Sequence, residues 1–387
     1  MNEPGAGDHK PSHPLLRRMR SRDPRQAHRA ATPLELLYDL CFVVAIAQAA
    51  ARLHHGIAEN HTPASLLGFG LVFFAIWWAW MGFTWFASAF DADDVIYRIK
   101  VLVQMAGVLV LAAGVPRAFD QQDFGLITLG YVIMRVGLVA QWLRAARADA
   151  LYRKTALRYA VGITLVQACW IALLALPADR WVYGWLVFAP LELLVPAWAE
   201  SARATPWHPH HIAERYGLFT IIVLGESVLA ATLAIQAAVD AGSWTRDLAC
   251  ITVAAPVILF GMWWIYFLEP AQRLIDSSRK AFVWGYSHFF VFASAAAVGA
   301  GIAVCVDQAT HHAHVPEVGA RAALAIPVAI YLLSVWFTQY RTRAGCGGWS
   351  FVAVSILILA TPLAPFTPVA VAVLIIALTA YVIHASR

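Results

Sequence analysis

The stretch Pro33-Leu34-Glu35-Leu36-Leu37-Tyr38-Asp39-Leu40-Cys41-Phe42-Val43-Val44-Ala45-Ile46-Ala47-Gln48 decides the fold class of this chain. It is a hydrophobic helix with acids where acids are expensive. Thr32 is placed to cap it and Pro33 suits the first helical position. Glu35 falls in the first turn, where the helix dipole favours a negative charge. Asp39 follows one turn deeper on the same face. From Leu40 to Ala51 the only strongly polar side chain is Gln48. A charge at the centre of a membrane helix costs at least about 2.5 kcal/mol, so it faces a protein interior or a wet cavity.

Composition agrees with that stretch. Hydrophobic residues make up 60% of the chain and charged residues 13%, against about 25% charged in a soluble domain. Mean hydropathy is +0.64. Apolar runs exceed about 18 residues again and again, enough to cross a bilayer core roughly 30 Å thick. The fold class is therefore an all-α polytopic membrane protein. No segment reads as a cleavable signal peptide, since the first long apolar run starts at Pro33 and lacks a small-residue cleavage site. The cysteines (Cys41, Cys169, Cys250, Cys305, Cys346) form no C-x-x-C pair and read as apolar packers. No cofactor or metal ligand set is assigned.

Twelve spans are expected: 33–52, 64–87, 97–115, 124–143, 156–176, 181–199, 212–236, 247–268, 281–305, 320–340, 349–362 and 366–384. The last two are separated by Thr361-Pro362-Leu363-Ala364-Pro365, and a re-entrant hairpin over 349–384 is the alternative. Residues 1–32 read as a disordered basic tail that sets topology, with attachment to anionic membrane lipid as the sharper option. With the N-terminus inside, 22 Lys and Arg are counted to the cytoplasmic side and 5 to the outside, and Arg135, deep inside span 4, to neither. Such a bias puts both termini in the cytoplasm. It also accounts for the pI near 9.0, so the charge is no argument for nucleic acid as a partner.

An internal repeat is expected as well. Trp77-Trp78 in span 2 matches Trp263-Trp264 in span 8. In span 7, Tyr216 and Glu226 fall opposite Tyr38 and Gln48 of span 1. Two six-helix repeats in parallel orientation, 33–199 and 200–387, follow.

The intramembrane polar set includes Asp39, Gln48, Gln104, Arg135, Gln141, Gln167, Glu192, Glu226 and His288. Arg135 and Glu192 each lie about 11 residues in from the outer face, roughly 16 Å deep. Spans 1, 4, 6 and 7 are expected to converge there. Two accounts stay open. Arg135 pairs with an acid and locks the packing, or the surplus of deep acids over one deep base suits a cation or a proton. Pro190 and Pro196 bracket Glu192 and point to a broken helix, a feature of transporter sites. His54, His55 and His61 with His311, His312 and His314 read as polar loops rather than a metal site. His288 is balanced between a core histidine and a proton relay. Asp91, Asp93 and Asp94 are expected to pair with nearby bases, and the Trp pairs to pack rather than to gate. Gly225-Glu226-Ser227 offers no nucleophile elbow.

Two of these motifs are familiar. Thr32 to Ile46, and Glu214-Arg215-Tyr216-Gly217-Leu218-Phe219-Thr220-Ile221-Ile222-Val223-Leu224-Gly225-Glu226-Ser227, resemble the bacterial low temperature requirement protein A (LtrA) family. The resemblance implies a many-span inner-membrane protein linked to growth in the cold, with no settled activity. Tyr38 and Cys41 stand where that family more often has Phe and Val. A fainter likeness, from Tyr38-Asp39 with Phe42 to Ile46, runs to two-repeat potassium channels; the Tyr at 38 and Gly217 opposite Asp39 depart from it.

The expected function is a transporter or channel for a small cation or proton-coupled solute. Its pathway is assigned to Glu35, Asp39, Gln48, Arg135, Glu192, Glu214, Arg215, Glu226 and His288. No catalytic residue is assigned. The alternatives are a membrane enzyme or lipid-handling protein, in which Glu35 and Asp39 meet His208 to Glu214 near the inner face, and a structural or sensory membrane protein. Membrane lipids are expected partners and a homo-oligomer stays open.

Overall fold

The computed structural model describes residues 15–23, 29–177, 180–270, 274–275, 277–341 and 347–385. These carry α1 (Pro33–Ala58), α2 (Thr62–Phe90), α3 (Val95–Asp120), α4 (Gly125–Ala148), α5 (Arg153–Leu173), α6 (Trp181–Glu200), α7 (Pro209–Asp240), α8 (Arg246–Phe267), α9 (Ser278–Ala309), α10 (Glu317–Val335), α11 (Gly347–Ala360) and α12 (Thr367–Ala385). No strand occurs among the described residues. Eleven helices are long and apolar enough to cross a membrane, with Trp336–Tyr340 extending α10. The 14 residues of α11 reach only about 21 Å, short of a full hydrocarbon core. The chain is thus an all-α, many-span membrane protein. Cys346 and the basic residues Lys10, Arg25, Arg273, Arg343 and Arg387 lie outside the described residues.

Local chemistry starts α1 as its sequence requires. Thr32 Oγ1 accepts from the Glu35 N–H at 3.2 Å, and the Glu35 carboxylate accepts from the Thr32 N–H at 2.7 Å, closing a capping box. α9 is the most buried span and forms the middle of the bundle, packed against α7 and α10. Small residues let helices approach. A Cβ at Gly130 on α4 would lie 2.6 Å from the Gly107 carbonyl oxygen on α3, and one at Gly301 on α9 would lie 2.2 Å from that of Ala323 on α10. Without a hydrophobic drive in lipid, such close packing holds helices together.

α3 packs on α4 and α9 on α10, while α1 packs on α3 and α7 on α9. α2 and α8 do not share like surroundings: Trp77 and Trp78 are buried, whereas Trp263 and Trp264 are exposed.

The described part of the N-terminal segment differs from a free tail. Met19 is fully buried, Arg22 pairs with Asp91, and the Arg17 backbone N–H donates to Asp94 at 2.6 Å. Arg144 also pairs with Asp94, and Arg98 with Asp93 at 2.8 Å. The acidic loop after α2 is therefore neutralised by bases from the tail, α3 and α4. Burial raises the Asp94 carboxyl, but Arg144 and the backbone N–H groups of Arg17 and Tyr97 outweigh it and hold it below its ordinary range. At Asp91 burial prevails over Arg22 and pushes the carboxyl up. This end of the bundle is called the tail side below, and the opposite end the far side.

Candidate functional site

Two buried charge clusters form, not the single convergence expected from depth. The first joins α1 to α7 near the tail side. Arg215 holds Asp39 with two bonds, Nε to Oδ2 at 3.1 Å and Nη2 to Oδ1 at 2.5 Å. Its Nη1 lies 3.2 Å from Glu35 Oε1, and His211 Nε2 lies 3.1 Å from the same oxygen. The Trp80 indole N–H donates to Asp39 at 2.7 Å. Arg29 reaches in from the tail, 3.7 Å from Glu35, and donates to the carbonyls of Ala87 and Ser88. Asp39, His211 and Arg215 have no solvent exposure and Glu35 has 1%. Arg215, counted from the sequence among tail-side loop bases, is inside α7 and fully buried. It supplies the second deep base and removes the surplus of acids around Asp39. The segments Glu35/Asp39 and His208–Glu214 do meet, as an acid–base reading requires; Glu35, Asp39 and His211 are buried there, while His210 and Glu214 line a surface cavity.

The second cluster sits between α2, α4, α5 and α6. Arg135 Nη2 lies 2.7 Å from Glu192 Oε1. Two indole N–H groups also donate to Glu192, Trp170 to Oε1 and Trp78 to Oε2, each at 2.9 Å. The Arg135 guanidinium lies over the Tyr131 ring, 4.9 Å from its centroid. α6 packs its backbone chiefly on α5; it reaches α2 and α4 through Glu192 and through Trp185, whose ring meets Phe74 and Phe124. Pro190 and Pro196 do not break α6, which is continuous from Trp181 to Glu200. The Leu193 carbonyl, one turn below Pro196, accepts from the Tyr286 hydroxyl at 3.0 Å, so α9 gives that stretch of the helix an outside donor.

Cavities separate the two clusters in kind. One cavity runs from the Arg135–Glu192 pair to the tail side, past Trp85, Trp142, Tyr159, Glu200 and Trp207. A second runs to the far side, past Phe74, Gln167, Trp170, Trp181 and Trp185. Trp78, Tyr131 and Glu192 line both. A more polar far-side vestibule shares Phe124, Trp181 and Trp185 with the second cavity and reaches Arg52, His61 and Asp120. Glu192 and its partners thus stand between spaces that approach from opposite ends. Glu35, Asp39 and Arg215 line none of these cavities.

The other assigned residues scatter. Gln48 is exposed on α1. Glu214 accepts from the Ala31 backbone N–H at 3.1 Å on the tail side. Glu226 is buried on α7, with no ion-pair partner among the described residues. It does not join Arg135, because α7 packs on α9, α1 and α8 rather than on α4. His288 is fully buried; its Nδ1–H donates to the Trp284 carbonyl at 2.7 Å and its Nε2 accepts from the Tyr266 hydroxyl at 3.0 Å. That is a satisfied neutral core histidine. Gln104 donates to Gln141 at 3.3 Å. His54 pairs with Asp307 at 2.7 Å and His314 with Glu59 at 3.0 Å, tying α1 to the α9–α10 loop. No group of three or more metal-ligating side chains forms among the described residues. Sequence reasoning missed Trp78, Trp80 and Trp170 as donors to buried acids; an indole in mid-span, away from the interfaces, was the available signal.

The profile of the bacterial low temperature requirement A protein matches residues 30–385. The chain belongs to the LtrA family. An uncharacterized protein of Rhizobium meliloti (strain 1021) is 27% identical over 331 residues, covering 80% of this chain and 77% of that protein. The family match spans both charge clusters except Arg29, and every helix that lines the cavities.

Proposed function

We propose that this LtrA-family protein is a transporter for a small cation or a proton-coupled solute, with its pathway at Arg135 and Glu192. The observation that carries this is Glu192 lining two cavities that approach it from opposite ends of the bundle. A buried acid flanked by space on both sides is how an intramembrane charge serves a pathway. The pair closes the route where the cavities meet, which favours alternating access over an open pore. The tail side is taken as cytoplasmic from the basic-residue bias, and the membrane as the bacterial inner membrane from the family. Two parallel six-helix repeats are part of the proposal; the matched packing of α3 on α4 with α9 on α10 supports them.

The test is flux into liposomes carrying purified protein, with K⁺, Na⁺ and H⁺ tried in turn. Protein-dependent flux of at least one is expected, and its loss in the double variant Arg135→Gln/Glu192→Gln, which leaves neither charge orphaned. Absence of flux for all three and for an organic cation tried beside them, with folded protein, or full flux in the double variant, overturns the proposal.

A further inference from the structure

We infer that the far-side cavity binds a monovalent organic ammonium ion with an apolar or aromatic body. This names the substrate class for the pathway proposed above and rests on that proposal. The walls come first. Phe74, Trp78, Tyr131, Trp170 and Trp185 from α2, α4, α5 and α6 line the cavity. Aromatic faces carry negative quadrupole, and a cage of them is how proteins hold ammonium groups whose hydration is weak.

Charge is the second observation. Glu192 lines this cavity, while Arg135 lines only the cavity on the tail side of it. The far-side cavity therefore meets a carboxylate with its counter-ion behind it. Three donors occupy Glu192: Arg135 and Trp170 on Oε1, and Trp78 on Oε2. A carboxylate has about four acceptor sites, so one remains on the Oε2 side. An anion meets this carboxylate and the ring faces and is disfavoured.

The third observation is Gln167. It is 7% exposed and lines the cavity, yet both its Oε1 and its Nε2 lack a hydrogen-bond partner among the described residues. Buried amides are paired in the great majority of cases, and an exception at a cavity wall points to a ligand. An ammonium N–H is the donor that Oε1 needs. A bare metal cation is poorly served, because Ca²⁺ or Mg²⁺ takes six or more oxygens. The Tyr131 hydroxyl donates its proton to the Ala75 carbonyl at 2.5 Å, so its oxygen can act only as an acceptor.

The experiment is binding to the purified full chain in lipid nanodiscs, read by calorimetry and by tryptophan fluorescence. The probes are phenethylammonium, benzyltrimethylammonium and the neutral 2-phenylethanol. Both cations are expected to bind at least about tenfold tighter than the alcohol. Arg135→Gln/Glu192→Gln should erase that preference. Gln167→Leu, which removes no charge partner, should weaken phenethylammonium several-fold and leave benzyltrimethylammonium, which has no N–H, unchanged. Equal or tighter binding of the alcohol overturns the inference, as does no binding of either cation or an equal loss of both in Gln167→Leu. Liposome uptake of phenethylammonium separates the two claims. Cation-selective binding without any uptake sinks transport and keeps the site. Flux of K⁺, Na⁺ or H⁺ without ammonium binding sinks the site and keeps transport.

Discussion

The Asp39–Arg215 cluster and the Arg135–Glu192 pair are made of the same chemistry and stand in different surroundings. Both pair an Arg with a carboxylate, and both add indole N–H donors, Trp80 to Asp39 and Trp78 with Trp170 to Glu192. The first is sealed. The Trp80 ring stacks on Phe219 at 4.3 Å, and Asp39 and Arg215 are wholly buried. The second borders space on both sides. A pair enclosed in packed protein fixes two helices, whereas a pair at the junction of two cavities can exchange partners with a passing ion. The difference lies in what surrounds the charges.

The largest effect expected from this contrast concerns stability. Asp39→Leu takes away the carboxylate that holds Arg215 Nε and Nη2 in a dry interior, leaving Glu35 as its remaining acid, and should cost about 3–5 kcal/mol, with Arg215→Met on the same chain restoring part of it. Thermal unfolding of the detergent-purified variants checks this. Arg135→Gln/Glu192→Gln should stay near wild-type stability while losing flux. If instead Asp39→Leu kept its melting temperature and lost flux, the two clusters would have to exchange roles.

A smaller effect sharpens the cavity side of the comparison. Gln167→Leu removes a buried amide that has no partner among the described residues, so the apo protein should gain on the order of 1 kcal/mol. A loss of similar size, seen in the same melts, would mean that Gln167 is satisfied and part of a lock.

The smallest effect runs through pH and the strap that carries Arg29 into the sealed cluster. Asp94 is held below its ordinary range, so the stability it contributes is fully present above about pH 4 and is lost as pH falls through its lowered value. Limited proteolysis at Arg17 and Arg18 with an acid-tolerant protease should rise steeply below about pH 4, after a smaller rise at higher pH as Asp91, whose carboxyl is raised by burial, protonates and releases Arg22. Arg144→Gln, which removes the main support, should move the steep rise to higher pH. A steep rise already between pH 6 and 7 in the unmodified chain would show another group in control.

Much of this was legible along the chain. Span count followed from apolar runs, and the capping of α1 from Thr32, Pro33 and Glu35. Arg135 and Glu192 stood out by depth, and they do pair. Less visible was Arg215. Three residues from the start of an expected span it reads as an interface base, and only the packing of α7 on α1 buries it against Asp39, 176 positions away. Pro190 and Pro196 suggested a broken helix; outside donors such as Tyr286 serve α6 instead and the helix stays whole.

The sequence by itself determined that this is a many-helix membrane protein and which of its residues are out of place in lipid. Hydropathy and helical period are local properties, summed over a score of neighbours, so one dimension holds them. Only the tertiary structure decided which misplaced charges meet, and whether they meet in packed protein or beside a cavity. Those outcomes depend on side chains far apart in the chain and on the space left between helices, which no run of residues encodes alone.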